Sequence, residues 1–350
     1  MGLGNQRSRP GKEQPEVASG VRSDSPSVPH VLRHLLTGDE ARQVRELAAA
    51  SAAEYRSVDD EGFLADVGVI AHELPVAVRR CAGLARLHDT AHVVLISGNY
   101  IDGERLERTP AHWRQADTRG SREAAFTIMI YAALLGAAIG WAGQQSGRLV
   151  TDVLPIPGDE DSLLSSSSSK QLGWHTEDAF SEARGDYVGL FCLRNPTRTP
   201  TTVSCLTPAT MPADVLRTLL EPRFLISADQ SHAALWQLSR PRPSPVPLIS
   251  GPLQAPVLRV DRDFTTAIDG DAAAELAIQA LIEHLDRNTY PIMLAPGDLC
   301  FLDNRGLVHG RASFRPRYDG YDRWLKRVNV VVDLRRTRPS RACSRTRVIG

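Results

Sequence analysis

The hydrophobic pattern of the chain changes period near its middle. Thr37-Gly38-Asp39-Glu40 opens a stretch with apolar residues at helical spacing to about Tyr55, and a second such stretch covers Glu61 to Ala82. Apolar positions three and four apart share one face of a helix, so both stretches predict amphipathic helices. His92 to Ile96 is a β-branched run that reads as a buried strand. Ala124 to Trp141, AAFTIMIYAALLGAAIGW, follows Ser121-Arg122-Glu123, a helix start. It approaches the length of a bilayer span, but it is rich in Ala and Gly and stands alone, so a helix buried on all sides is expected. From about Leu149 the texture becomes short strand-like runs: Tyr187 to Leu193, Thr201 to Leu206, Val257 to Val260, Ile292 to Leu294, Leu299 to Leu302 and Val328 to Leu334. One helix, about Ala272 to Leu285, interrupts them. Helices first and many short strands afterwards predict a mixed α and β fold, a β-barrel or sandwich buttressed by helices.

Three segments fall outside this pattern. Residues 1–29 are polar, with Pro, Gly and Ser, and are expected to be disordered. Residues 155–171, PIPGDEDSLLSSSSSKQ, read either as a solvated low-complexity loop or as a lid. The tail after Leu334 holds six arginines and reads as a solvated basic end.

Composition narrows the partners. Lys and Arg number 41, as do Asp and Glu, so there is no electrostatic case for a nucleic-acid groove or an anionic membrane surface. The N-terminus lacks the apolar segment of a signal peptide. Five scattered cysteines without a C-x-x-C pair read as reduced thiols, and a cytoplasmic protein is expected.

The candidate chemistry begins in Gly173-Trp174-His175-Thr176-Glu177-Asp178-Ala179-Phe180. On a strand, His175 and Glu177 would point to the same face and could converge on one ion. His309 lies 134 residues beyond His175, at the end of an apolar run that follows the Pro296-Gly297-Asp298 turn. Two His and one carboxylate with open positions form the facial triad of iron(II) oxygenases. The H-E-x-x-H spacing of zinc hydrolases is absent. Fourteen residues after His309 comes Arg323, whose planar fork suits a carboxylate.

The segments WHTEDAF, RGDYVGLFCLRNP, PGDLCFLDNRGLVHGR and RYDGYDRWLKRVNVVVDLRR resemble the arginine β-hydroxylases of the viomycin and capreomycin pathways. These are clavaminate-synthase-like oxygenases, and the resemblance covers about residues 30–337 as a single oxygenase domain. It implies a distorted double-stranded β-helix (jelly-roll) core with flanking helices, iron(II), 2-oxoglutarate as co-substrate, O2, and a small amino-acid substrate. His175, Glu177 and His309 match the iron ligands, and Arg323 matches the arginine for the distal carboxylate of 2-oxoglutarate. Thr201 or Thr202 would add a hydroxyl there. Arg327 and Ser231 match the holders of the substrate α-carboxylate; Gln144 and Glu177 match those near its amine. Asp261 and Asp263, two carboxylates at i and i+2, would clasp a guanidinium. Read without the family, that pair is a polar turn partnered by Arg262. The implied activity is hydroxylation of the β-carbon of free arginine for a peptide antibiotic precursor. Hydroxylation or desaturation of enduracididine or homoarginine, dihydroxylation of arginine, and a non-catalytic guanidino-compound binder are the alternatives.

Overall fold

The computed structural model describes residues 28–87, 91–162, 166–232 and 243–350, so most of the segment expected to be disordered, 1–29, lies outside the described residues. The chain opens with β1 (Val31–Leu35), α1 (Gly38–Glu54), α2 (Glu61–Ile70), α3 (Val76–Leu87) and β2 (Val93–Ser97). It continues through α4 (Gly103–Leu106), α5 (Arg119–Ala132), β3 (Ala137–Trp141), β4 (Val150–Val153), β5 (Leu172–His175), β6 (Tyr187–Arg194) and β7 (Thr201–Cys205). Next come α6 (Ala213–Leu219), β8 (Phe224–Ile226), β9 (Ile249–Ser250), β10 (Val257–Leu258), β11 (Thr265–Ala267) and α7 (Ala272–Arg287). The last elements are β12 (Tyr290–Ile292), β13 (Leu299–Asp303), β14 (Leu307–Arg311), β15 (Trp324–Val331) and β16 (Val348–Ile349).

Two sheets form the centre. An eight-stranded sheet runs β1-β2-β13-β6-β15-β3-β16, with β4 also paired to β15, and a four-stranded sheet runs β12-β7-β14-β5. The layer between them is filled by Val188, Leu190 and Cys192 of β6, Val203 and Cys205 of β7, Cys300 and Leu302 of β13 and Leu325 of β15. On the outer face of the large sheet, residues of α1, α2, α3 and α5 pack with Phe191, Phe301 and Val328. Leu219 of α6 and Ala274, Ala277, Leu281 and Leu285 of α7 cover the outer side of the small sheet against Val308. This is the jelly-roll core with flanking helices that the sequence implied.

Local rules account for the first helix. Thr37 and Glu40 form a reciprocal capping box at its start. The expected single helix from Glu61 to Ala82 is two helices. Pro75 forces the residue before it out of the helical region, and Leu74 is extended at φ −59°, ψ 152°. The expected helix from Ala124 to Trp141 is also divided: α5 ends at Ala132 and β3 begins at Ala137. Gly136 turns the chain so closely against β15 that an added Cβ would lie 2.2 Å from the Val331 carbonyl oxygen. Asn329, Val330 and Val331 then pair with β3, and this pairing overrides the helical texture of the apolar run. No helix among the described residues is long and apolar enough to cross a membrane.

The C-terminal segment is not a solvated tail. Val348 and Ile349 pair in parallel with Gly140 and Trp141 of β3. The Arg336 guanidinium binds the Asp186 carboxylate, and Arg347 donates to the Leu64 carbonyl. Two of the six arginines are therefore bound to acceptors of the folded domain.

Candidate metal centre and active site

Antiparallel pairing of β14 with β5 sets His309 opposite His175. Cross-strand partners point to the same face, and the two imidazoles lie with centroids 4.2 Å apart. The chain leaves β5 immediately after His175, and the Glu177 carboxylate turns back toward both rings. Its Oε2 lies 3.7 Å from His175 Nε2 and 3.3 Å from His309 Nε2. One ligand atom from each of the three residues falls within 4.8 Å of the other two. Glu177 Oε2 is buried and takes no hydrogen bond. A buried carboxylate oxygen facing two imidazole nitrogens, without a donor of its own, has the chemistry of a cation site. His175 Nδ1 lies 2.9 Å from the Gly173 carbonyl, which fixes the ring with Nε2 directed inward.

The electrostatics put two of the three groups, Glu177 and His309, in the form that ligates a cation. Burial alone would raise the Glu177 carboxyl, but Arg327 and the two imidazoles outweigh it and hold the group well below the usual range. Burial pushes His309 down to about 4, the neutral form needed for ligation. In His175 the effect of burial is outweighed by Glu177, and the ring is pushed up to about 9.

A further buried charge stands just before β15. Arg323 is 5% exposed, and burial lowers it to about 10; its titratable neighbours are the thiols of Cys192 and Cys300. Its NH2 reaches Thr201 Oγ1 at 3.5 Å, and its Nε has no partner. Alternation along β7 separates the two threonines: Val203 and Cys205 face the inter-sheet layer, and Thr201 shares their parity. Thr202 has the parity of Ser204, whose hydroxyl donates to Leu285 of α7. Thr201 is thus the threonine beside Arg323. A buried guanidinium with no carboxylate paired to it among the described residues, next to a hydroxyl, fits a carboxylate ligand.

In front of the triad is a cavity of about 260 Å³, lined by His175, Glu177, Gln144, Ser231, Asp261, Asp263 and Arg327 among others. Arg327 NH1 meets Glu177 Oε1 at 2.5 Å, and its NH2 donates to Gln144 Oε1 at 3.2 Å. Gln144 Nε2 donates to Ser231 Oγ at 3.2 Å. Asp261 is bridged through its backbone to His175, beside the metal face. Arg262 does not partner these aspartates; it turns away to Asp286 at 3.4 Å. Burial raises the Asp261 carboxyl to about 6. An added Cβ on Gly173 would lie 2.9 Å from Asp263 Oδ2, so a glycine there leaves room for that carboxylate.

Sequence reasoning overlooked several residues that shape this site. Asn304 is fully buried: its Oδ1 accepts from Glu177 N at 2.7 Å, and its Nδ2 donates to the Glu177 and Gly185 carbonyls at 3.0 Å. It therefore ties the Glu177 loop to the turn before β14. Asp178, at φ 58°, accepts from Trp141 Nε1 at 2.5 Å and from Asn329 at 3.1 Å, and sits 3.2 Å from His232. Asp229 adds another carboxylate to the cavity wall and accepts from the Ser231 hydroxyl at 2.6 Å. Asn304 lies within PGDLCFLDNRGLVHGR and Asp229 two residues before Ser231, but single polar residues in turns carry no signal of their own.

A jelly-roll with two histidines and a carboxylate at one mouth, a buried arginine beside a hydroxyl and a small polar cavity in front defines a non-haem iron(II) oxygenase that uses an oxo-acid co-substrate. Comparison with known proteins gives the family. Residues 230–329 match the family model for taurine catabolism dioxygenase TauD, TfdA family. Enduracididine beta-hydroxylase of Streptomyces hygroscopicus is 35% identical over 90% of this chain and 98% of its own. L-ornithine/L-arginine 3-hydroxylase of Catenulispora acidiphila is 36% identical over 91% of this chain and 99% of its own. The crystal structure of the non-heme iron oxygenase OrfP with Fe, succinate and (3S)-hydroxy-L-Arg superposes with a TM-score of 0.86 at 39% identity, covering 91% of this chain and 99% of that one. The chain belongs to the clavaminate-synthase-like group of iron(II)/2-oxoglutarate-dependent oxygenases.

Proposed function

We propose that the protein hydroxylates the β-carbon of free L-arginine, using iron(II), 2-oxoglutarate and O2. His175, Glu177 and His309 would hold the metal, and Arg323 with Thr201 would hold the distal carboxylate of 2-oxoglutarate. Iron(II) with 2-oxoglutarate supplies, when bound, the oxidising power to insert one oxygen atom of O2 into a C–H bond, with succinate and carbon dioxide as by-products. The residues of the chain do the placing. Arg327, with Ser231 and Gln144 at its side, offers donors to the α-carboxylate. Gln144 and Glu177 offer acceptors to the amine. Asp261 and Asp263 offer two carboxylates to a cationic side-chain end. Fixing both ends of the amino acid leaves only its middle carbons free to face the metal.

The observation that carries the substrate assignment is the Asp261–Asp263 pair. Both carboxylates line the cavity, and the adjacent Arg262 is engaged with Asp286 instead. Two carboxylates at a cavity wall without an internal cation suit a guanidinium, which presents five N–H donors in a fork. Relatives whose names specify arginine, ornithine or enduracididine as substrate support a cationic amino acid.

The test is a competition between arginine and citrulline, which has nearly the same shape but no charge. Each hydrogen bond to a charged group contributes roughly 1.5–3 kcal/mol, so two give a preference of about a hundredfold or more in kcat/KM. Asp261→Asn combined with Asp263→Asn should remove most of that preference while leaving metal affinity unchanged. A double variant that still prefers arginine as strongly as the parent would refute the guanidinium assignment.

A further inference from the structure

Arg311 ends β14, two residues beyond the metal ligand His309 and on the same face of the strand. It is 4% exposed and faces the polypeptide that covers the cavity. Its NH1 donates to the Ser167 carbonyl, and its NH2 donates to Ser167 Oγ at 3.1 Å and to the Lys170 carbonyl at 2.9 Å. The segment so gripped is itself buried: Ser167 and Ser168 are 1% and 0% exposed. The Ser168 carbonyl accepts from Phe314 N at 2.9 Å, and Ser166 Oγ donates to Asp159 Oδ2 at 2.7 Å. Asp159 and Ser166 both line the cavity beside His175 and Glu177. Arg311 is therefore the side chain that holds the cavity cover to the strand carrying His309.

On its other side Arg311 adjoins the carboxylate site. Its cross-strand partner is Thr201, the residue whose hydroxyl meets Arg323. Arg311 Nε and Arg323 Nε are both buried without a partner. Thr201 thus links the two guanidinium groups, one across the strand pair and one through its hydroxyl. Two neighbouring guanidinium groups in the interior repel each other, and the low local dielectric amplifies that repulsion. An anion seated on Arg323 cancels much of it.

We infer that Arg311 is a positioning residue that couples occupancy of the Arg323 carboxylate site to the order of the 166–170 segment, so that 2-oxoglutarate alone tightens the cover before the amino acid arrives. The inference rests on the reading of Arg323 as the co-substrate anchor. It supplies what that reading leaves open, a physical connection between co-substrate binding and closure. Coupling between two sites is reciprocal, so a cover that tightens with 2-oxoglutarate must also strengthen 2-oxoglutarate binding by the same factor.

The experiment is hydrogen exchange of peptides from 166–171, measured without O2 on the Fe(II)-loaded enzyme, with and without 2-oxoglutarate and with no amino acid present. In the parent, 2-oxoglutarate should slow exchange about tenfold, within the usual range of coupling between sites. In Arg311→Gln the segment should exchange quickly and ignore 2-oxoglutarate, and 2-oxoglutarate affinity should fall by the factor lost in exchange. Its binding would be read independently from the absorption band of the iron–2-oxoglutarate chelate. Ser167→Ala deletes one acceptor without touching β14, so it serves if Arg311→Gln does not fold; it should show a smaller loss of the same kind. A parent segment insensitive to bound 2-oxoglutarate, or variants that respond as the parent does, would overturn the coupling. If the parent fails to bind 2-oxoglutarate at all, the failure lies with the Arg323 assignment and is visible in the chelate band before any exchange is measured.

Discussion

Removing the Arg323 charge should make the empty protein more stable and blind to its co-substrate. Burial depresses this guanidinium to about 10, and the two thiols beside it, Cys192 and Cys300, stay neutral and offer no counter-charge. That depression corresponds to about 3 kcal/mol for keeping the charge inside, at roughly 1.4 kcal/mol for each tenfold change in proton affinity. The cost is constant at working pH, because the group is protonated in both the folded and unfolded chain until pH rises past about 10. Arg323→Met keeps much of the volume and removes the charge. Replacing buried ionic groups by apolar ones of similar size is commonly neutral or stabilising by about 1–4 kcal/mol. The ligand-free variant should therefore melt at or above the parent temperature. The parent should gain stability with 2-oxoglutarate, roughly 2.7 kcal/mol at a hundred times its Kd. The variant should gain nothing at the same concentration. Differential scanning calorimetry with and without 2-oxoglutarate, on protein loaded with a redox-inert divalent metal, reads both effects. A variant that melts well below the parent and still responds to 2-oxoglutarate would show that Arg323 has a counter-charge and no part in the carboxylate site.

Two further outcomes follow from the site and its surroundings. His309→Ala leaves two ligands and should weaken divalent-metal binding at least tenfold, which Co(II) titration followed by its visible absorption measures directly. Asp303, half-buried at the end of β13, has its carboxyl raised to about 6 by burial, while its Oδ1 accepts from Arg305 N at 2.9 Å. A carboxyl raised on folding contributes its stability fully below the unfolded value near 3.8 and loses it as pH rises through 6. Asp303→Asn keeps that acceptor, so its melting temperature should pull ahead of the parent between pH 4 and pH 7. The gain should be at most about 3 kcal/mol, and less because the side chain keeps part of its exposure. Equal gaps at both pH values would count against a buried, strained carboxylate.

Much of this protein was legible before folding, wherever the cause is local. The Thr37–Glu40 box, the 3.6-residue spacing of α1 and the Pro296-Gly297-Asp298 turn act through near neighbours, and each element formed where the pattern placed it. The His175 and Glu177 pair was legible from its two-residue spacing, but the expected shared strand face did not form: β5 ends at His175, and the turn after it brings the carboxylate back. His309 was readable as the third ligand from its place at the end of an apolar run, and the resemblance matched it to the same role, but nothing in the 133 residues between the histidines says that β14 lies beside β5. Tertiary pairing alone decided the rest. The apolar run after Ala132 became β3 because β15 offered it a ladder, and the arginine-rich end became β16 and a set of clamps because β3 and Asp186 offered partners. The choice of Thr201 over Thr202 depended on which side of β7 faces the inter-sheet layer. Asn304, Asp229 and Arg311 gained roles only when segments more than a hundred residues apart, or a cavity between them, gave their polar groups something to bind. Residue types and spacing set which atoms are available; the burial that makes a lone guanidinium hungry for an anion, or strips donors from a carboxylate, exists only in the packed sheets.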